Sequence, residues 1–280
     1  MVAASTRGYG PGMTYADRAH QFRALHRTGE PLLLPNAWDH ASAAALAEGG
    51  FPAIGTTSLG VAAAAGKADA TGGTRQETLR LARGLARLPA LITVDIEGGL
   101  SERPDEVAAL AAELVRAGVV GVNIEDGRPD GTLADTAVQC ELIRAVKETC
   151  PDLFVNARTD TYWLRAGGAE ETERRAAAYQ QAGADGLFVP GLQDGKAIAE
   201  LVGGVIDVPL NILYAPGALS YRRLAELGVR RVSSGSLLFR AALHAAVGAA
   251  HSIGRGGDVP DDLPSYADAL ALSAAYGEGV

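Results

Sequence analysis

What most constrains the fold of this chain is a rhythm. Short apolar runs alternate with longer amphipathic ones, and one kind of punctuation recurs between them. Ala117-Gly118-Val119, Ala182-Gly183-Ala184 and Leu227-Gly228-Val229 each set a glycine where a helix would end and a strand begin. The runs 31–36, 53–58, 91–97, 119–125, 153–158, 186–190, 209–214 and 230–234 read as strands. Helices are expected over 39–48, 74–88, 104–117, 135–148, 169–182, 194–202, 218–227 and 237–251, after a leading one at 15–28. Asp39 and Thr74 are placed as N-caps, and Pro104 sits at a first-turn position. Eight strand–helix units in a row predict an α/β fold, a (β/α)8 TIM-type barrel. A doubly wound sheet is the alternative, but no Gly-x-Gly-x-x-Gly follows the first strand.

The expected organisation is a flexible leader at 1–14, the barrel at 15–253, and a C-terminal hinge and helix at 254–280. The hinge is glycine-rich at 254–257, and the extra helix runs over 265–276. With 48% apolar but 5% aromatic residues, the core should be closely packed Ala, Leu and Val. A net charge of −8 argues against a nucleic-acid partner, which would need a basic face. No apolar stretch approaches the length of a membrane span, and the first twelve residues lack the hydrophobic segment of a signal peptide. Cys140 and Cys150 are too few for a disulfide framework. The expected compartment is the cytoplasm, and the expected partners are small molecules and copies of the chain itself.

Strand 91–97 ends in Asp95-Ile96-Glu97-Gly98-Gly99. Alternation along a strand would point Asp95 and Glu97 the same way. Adjacent carboxylates repel unless a cation or a proton intervenes. The next apolar run closes in Glu125-Asp126, so two successive strands finish in acids. That pattern suggests a hard cation, Mg2+, which takes oxygen ligands. Barrel active sites lie at the C-terminal strand ends. The polar residues there are Asn36, Thr57, Ser58, Asp95, Glu97, Glu125, Asp126, Arg158, Asn211 and Ser234, and Asp69 can reach the same mouth from its loop. Arg158 offers a planar fork for a carboxylate or phosphate, and Asn211 is a candidate substrate contact. Asp126 reads as a cap rather than a ligand. The five histidines fall on helices or their starts, away from strand ends.

Asp95-Ile96-Glu97-Gly98-Gly99, Asn123-Ile124-Glu125-Asp126 and Asn156-Ala157-Arg158-Thr159-Asp160 together resemble the isocitrate lyase/phosphoenolpyruvate mutase superfamily. Gly55-Thr56-Thr57-Ser58-Leu59, Lys67-Ala68-Asp69 and Ala182-Gly183-Ala184-Asp185 extend the resemblance over roughly residues 20–250. It implies an enzyme that makes or breaks C–C or P–C bonds in small 2-oxo or 2-hydroxy acids. Asp95, Glu97 and Glu125 would hold Mg2+, or Mn2+ in its place, partly through water, with Asp69 as an outer partner. Arg158 and Asp69 would be catalytic, and Thr57, Ser58, Leu59, Asp95 and Arg158 would bind substrate. Cleavage would leave a pyruvate-type enolate stabilised by the metal. Family members pair by exchanging a C-terminal helix, which implies a homo-oligomer, a dimer or tetramer.

The chain also departs from the family. Segment 127–135, Gly-Arg-Pro-Asp-Gly-Thr-Leu-Ala-Asp, has neither the cysteine of the lyases nor the lysine and asparagine of the P–C enzymes. Pro190 stands where the mutase has a histidine. The expected activity is therefore an undemanding C–C cleavage such as decarboxylation of a 2-oxo diacid. Two alternatives stand beside it: a P–C bond enzyme (phosphonomutase, carboxyphosphonate phosphorylmutase or phosphonopyruvate hydrolase) and a non-catalytic 2-oxo-acid binder.

Overall fold

The structure is a computed structural model that describes residues 13–27 and 29–274. Nearly all of the expected leader, and the end of the expected last helix, lie outside the described residues. The strands are β1 (Leu32–Leu34), β2 (Asn36–Ala37), β3 (Ala53–Thr56), β4 (Leu91–Asp95), β5 (Gly121–Glu125), β6 (Phe154–Arg158), β7 (Gly186–Phe188), β8 (Leu210–Leu213) and β9 (Arg231–Ser233). All pair in parallel, in the order β1-β9-β8-β7-β6-β5-β4-β3-β2.

β1 and β2 are the two halves of the expected first strand. Pro35 lies between them and has no N–H to give to a ladder. Before it, Leu34 is in register with Ser233; after it, Asn36 is in register with Gly55. The Pro35 carbonyl accepts from the Gly55 N–H at 2.9 Å. One strand therefore changes neighbour at the proline, and the sheet closes into the expected (β/α)8 barrel.

The helices are α1 (Tyr15–Leu25), α2 (His40–Glu48), α3 (Ser58–Ala64), α4 (Arg75–Leu85), α5 (Pro104–Ala117), α6 (Thr136–Thr149), α7 (Ala169–Gln181), α8 (Gly195–Glu200), α9 (Tyr221–Glu226), α10 (Leu237–Gly254) and α11 (Tyr266–Ala274). The three punctuating glycines, Gly118, Gly183 and Gly228, have φ of 100°, 105° and 85°, the left-handed turn that ends a helix. Asp39 caps α2 through the Ser42 N–H at 2.7 Å. Thr74 does not cap α4; its hydroxyl is drawn instead to Glu97. α3 falls in a segment expected to be a loop. Its alanines favour a helix, and Gly60, Val61 and Ala62 are buried under it. α10 runs on to Gly254, and α11 lies against α2 of its own chain, with Leu272 on the core. No helix among the described residues is long and apolar enough to cross a membrane.

Inside a barrel, every second strand residue points to the axis. At the N-terminal end, Phe22 of α1 closes the barrel against a buried cluster of Leu32, Leu34, Ala53, Leu91, Val120 and Phe154. Its ring meets Phe154 edge-on at 5.3 Å. Higher up, the buried interior turns polar, with Asn123, Asn156, Asn211 and Arg231 where apolar layers are usual. Burial lowers the Arg231 guanidinium to about 9, so it remains charged at neutral pH.

Removing the plug should be costly. Phe22→Ala is expected to lower stability by about 3–5 kcal/mol in urea unfolding, the range for a buried aromatic. A loss below about 1 kcal/mol would show that α1 is not part of the core.

Candidate active site

The C-terminal ends of the strands surround a cavity of about 170 Å3. Thr57, Ser58, Leu59, Asp69, Asp95, Glu125 and Arg158 all border it. Asp95 is the last residue of β4, and its N–H donates to Thr56 Oγ1 at 2.9 Å. Glu125 and Arg158 end β5 and β6 and are register partners.

Glu97 is placed differently from the expectation. The strand stops at Asp95, and Glu97 takes φ 51°, so the alternation that would have aligned the two acids breaks between them. Its carboxylate accepts from the Gly72 N–H at 2.8 Å and from Thr74 Oγ1 at 2.9 Å. It borders an adjoining chamber of about 250 Å3. Ala70, Glu125, Gly127 and Arg128 border both spaces. Ala70 and Leu100, also on the chamber wall, share the left-handed backbone, with φ of 57° and 52°. Side chains adopt this region at a cost, and such residues cluster at functional sites.

Arg158 is committed to two carboxylates. Its Nε and Nη2 fork onto Asp160 at 2.6 and 3.1 Å, and Nη1 lies 2.6 Å from Glu125 Oε2. Its cationic carbon stands 5.6 Å from the centre of the Phe188 ring. Burial opposes the charge on Arg158, but Glu125, Asp160 and Asp95 outweigh it and hold the guanidinium protonated. Burial pushes the Asp95 and Glu125 carboxyls up; Arg158 pulls both down, while Asp69 and each pair's acidic neighbours add to the rise. Asp160 is pushed up too, by burial first. The mouth thus gathers more carboxyl groups than its arginines could neutralise were all of them ionised.

That imbalance fits a cation. Asp69 Oδ1 is buried without a hydrogen-bond partner, an orphan that a metal or its water would satisfy. Among the described residues no three His, Cys, Asp or Glu side chains are grouped so that they could hold an ion together. The donor set suits an ion such as Mg2+, which keeps several waters and takes one or two carboxylates directly.

Segment 127–135 is a tight hairpin. Gly127 and Leu133 form an antiparallel bridge, Arg128 N–H donates to the Thr132 carbonyl at 2.9 Å, and Asp130 Oδ1 accepts from Thr132 N–H and Oγ1. A Cβ at Gly127 would stand 2.3 Å from Asp160 Oδ2, so only glycine lets the hairpin pass. Below it Asp126 is fully buried, accepting from Arg175 Nη1 at 2.9 Å, Tyr179 OH at 2.7 Å and Asp160 N–H at 2.8 Å.

Asn211 is not among the residues bordering the cavity; it is buried, with Oδ1 accepting from Ser233 Oγ at 3.2 Å. Asn123 and Asp160 are among the bordering residues that the sequence did not single out as site residues. Asn123 and Asp160 lie two residues from Glu125 and Arg158, and the period of two, applied in both directions, was the signal that would have found them.

Comparison with known proteins finds relatives over most of the chain. The family model described as phosphoenolpyruvate phosphomutase matches residues 22–254. An uncharacterised protein of Mycobacterium tuberculosis H37Rv is 44% identical over 91% of this chain and 96% of its own length. An oxaloacetate decarboxylase of Pseudomonas savastanoi pv. phaseolicola is 30% identical over 84% of each. The crystal structure of 2,3-dimethylmalate lyase superposes with a TM-score of 0.81 at 25% identity, over 94% of this chain and 93% of that one. A match of this span shows that the chain belongs to the phosphoenolpyruvate phosphomutase family and is an enzyme of the isocitrate lyase/PEP mutase superfamily, a lyase or mutase of C–C or P–C bonds.

Proposed function

We propose that the protein is a divalent-cation-dependent lyase that cleaves a C–C bond of a small 2-oxo or 2-hydroxy acid, with oxaloacetate as the simplest substrate. The observation that carries this reading is the charge balance of the cavity, where four acids, Asp69, Asp95, Glu125 and Asp160, face two cations, Arg158 and Arg128. Asp95 and Glu125 would hold Mg2+ or Mn2+, with Asp69 beside them and Glu97, in the adjoining chamber, reaching the ion only through water. Such an ion supplies positive charge next to the substrate's carboxylate and 2-oxygen, where negative charge develops on cleavage.

The chain's own side chains do the rest. Arg158, fixed by its fork onto Asp160, keeps its charge and draws the substrate carboxylate. Trp163, Phe188, Pro190 and Leu213 form an apolar wall that limits water at the reacting end. The hairpin 127–135 offers neither cysteine nor lysine, so a cleavage that needs no proton donor from it suits this site best. The kinship with oxaloacetate decarboxylases supports the same choice. Arg128, a cation of the hairpin that borders the cavity, favours P–C chemistry as the second reading, because it could meet a phosphoryl group.

The decisive assay follows product by NMR from oxaloacetate, a substituted malate, 2-methylisocitrate and phosphonopyruvate, with Mg2+ or with EDTA. The expected result is metal-dependent pyruvate from oxaloacetate, lost in Asp95→Ala and reduced about a hundred-fold or more in Arg158→Ala. Pyruvate and phosphate from phosphonopyruvate alone would replace the C–C reading with the P–C one.

Acidity gives a second check. The Asp95 and Glu125 pKa values are raised in the folded chain, so their contribution to stability is full at low pH and is lost as pH rises through the folded values. Without a metal, Tm should fall between about pH 5 and pH 8, and Mg2+ should raise Tm more at the upper end. An equal Mg2+ effect at both ends would remove these carboxylates as its ligands.

The reading extends to assembly. α10 leaves Leu243, Val247 and Ile253 more than half exposed, at 52%, 56% and 66%. A second copy of the chain is proposed to cover this face. Light scattering should give a dimer or tetramer for the wild type and a monomer for Leu243→Glu/Val247→Glu; a monomeric wild type would refute the assembly.

A further inference from the structure

The buried middle of the barrel contains a group that the proposed chemistry does not use. Arg231 lies on β9, is 1% exposed, and has no ion-pair partner among the described residues; its Nε and Nη1 are buried without hydrogen bonds. A charge so placed is expensive, and an apolar side chain would fill the space more cheaply. Its hydrogen bond runs from Nη2 to Asn123 Oδ1 at 3.1 Å. Asn156 Nδ2 donates to the same oxygen at 2.9 Å.

This doubly held oxygen fixes which way the Asn123 amide faces. A guanidinium carries donors and no acceptor, so the amide atom turned toward Arg231 must be the oxygen. The nitrogen is then turned away from both buried donors. No acceptor from the described residues takes it up, and Asn123 borders the mouth cavity, in register with Asp95 on one side and Asn156 on the other. A neutral donor at that point suits neither a metal ion nor a carboxylic acid's proton. It suits an oxygen of a bound anion.

We infer that Asn123 is a substrate-binding residue that donates from Nδ2 to a carboxylate or carbonyl oxygen of the ligand, and that Arg231 is the positioning residue that aims it. The identity of that oxygen rests on the 2-oxo-acid reading above. The buried arginine acts by exclusion, because the wrong amide rotamer would set nitrogen against guanidinium and is unfavourable.

The test is calorimetric titration of oxalate, which presents oxygens in the planar arrangement of an enolised 2-oxo acid, into the full chain with Mg2+. Asn123→Asp keeps an oxygen for Arg231 and Asn156 and gives Arg231 a carboxylate, so the fold should hold. It also replaces the donor at the cavity with an acceptor. Oxalate affinity should drop about ten-fold or more, the scale of a hydrogen bond to a charged group. Should that variant not fold, Asn123→Ser serves the same arm, since its hydroxyl is too short to span from Arg231 to the ligand. Arg231→Met should weaken oxalate several-fold on its own and have little further effect in the Asn123→Asp background, because the two act as a unit. Affinity within two-fold of wild type in Asn123→Asp would overturn the binding role. Additive losses in the double variant would overturn the positioning role. A wild type that binds no oxalate would instead bring down the 2-oxo-acid reading and the ligand assigned to Asn123 with it.

Discussion

The guanidinium of Arg158 is what allows Asp69, Asp95, Glu125 and Asp160 to share one small cavity. Its position comes from strand register, since β5 and β6 bring Glu125 and Arg158 side by side. Two residues further on, the chain turns so that Asp160 faces back on the same side chain. Removing one partner from a buried pair of this kind costs about 3–5 kcal/mol, because the other charge is left stranded. The arginine is therefore structural before it meets any ligand. With Arg158 committed to Glu125 and Asp160, Asp69 and Asp95 have no ion-pair partner among the described residues, which is the place the proposed divalent cation would take.

A second buried ion pair carries that arrangement outward. Asp126 follows Glu125 directly, yet it faces α7, where Arg175 and Tyr179 hold it. Arg175 also donates to the Ala134 carbonyl at the far end of the hairpin, and Asp126 Oδ1 receives the Asp160 N–H. The hairpin, the acid that forks Arg158 and helix α7 are thus tied at one point. With Gly127 passing close over Asp160, a bulky or loosely held segment would not fit there. The hairpin resembles a fixed wall more than a moving cover.

The barrel itself was legible because its cues are local: glycines that end helices, apolar runs of strand length, an aspartate that caps α2. The exceptions have physical causes. Pro35 divides a strand that hydropathy alone reads as continuous, and the alanines of α3 form a helix where glycine neighbours suggested a loop. At the candidate site the residue types were legible but their directions were not. Alternation predicted that Asp95 and Glu97 would act side by side, yet a left-handed residue is invisible to a pattern of apolarity, and Glu97 turns to Gly72 and Thr74. Asn211 lies at a strand end in sequence but is bonded to Ser233 within the interior. Arg231 was read simply as strand, because nothing local says that a charged residue will point to the axis.

The seam at Pro35 has a consequence for how the chain reaches this state. Asp69, Asp95, Glu125, Arg158 and Asp160 come from one contiguous stretch, and neighbouring strands can assemble them in order. The seam joins the ends of the barrel: the Asn36 N–H meets Ser234 Oγ across a sequence separation of 198. Long-range closure of this kind is slow, since the entropy of a large loop must be lost before any contact repays it. Arg231 arrives with that last strand. An intermediate that lacked the seam would hold the acids and Arg158 but not Arg231, the group proposed to orient Asn123, so ligand recognition would mature only with ring closure.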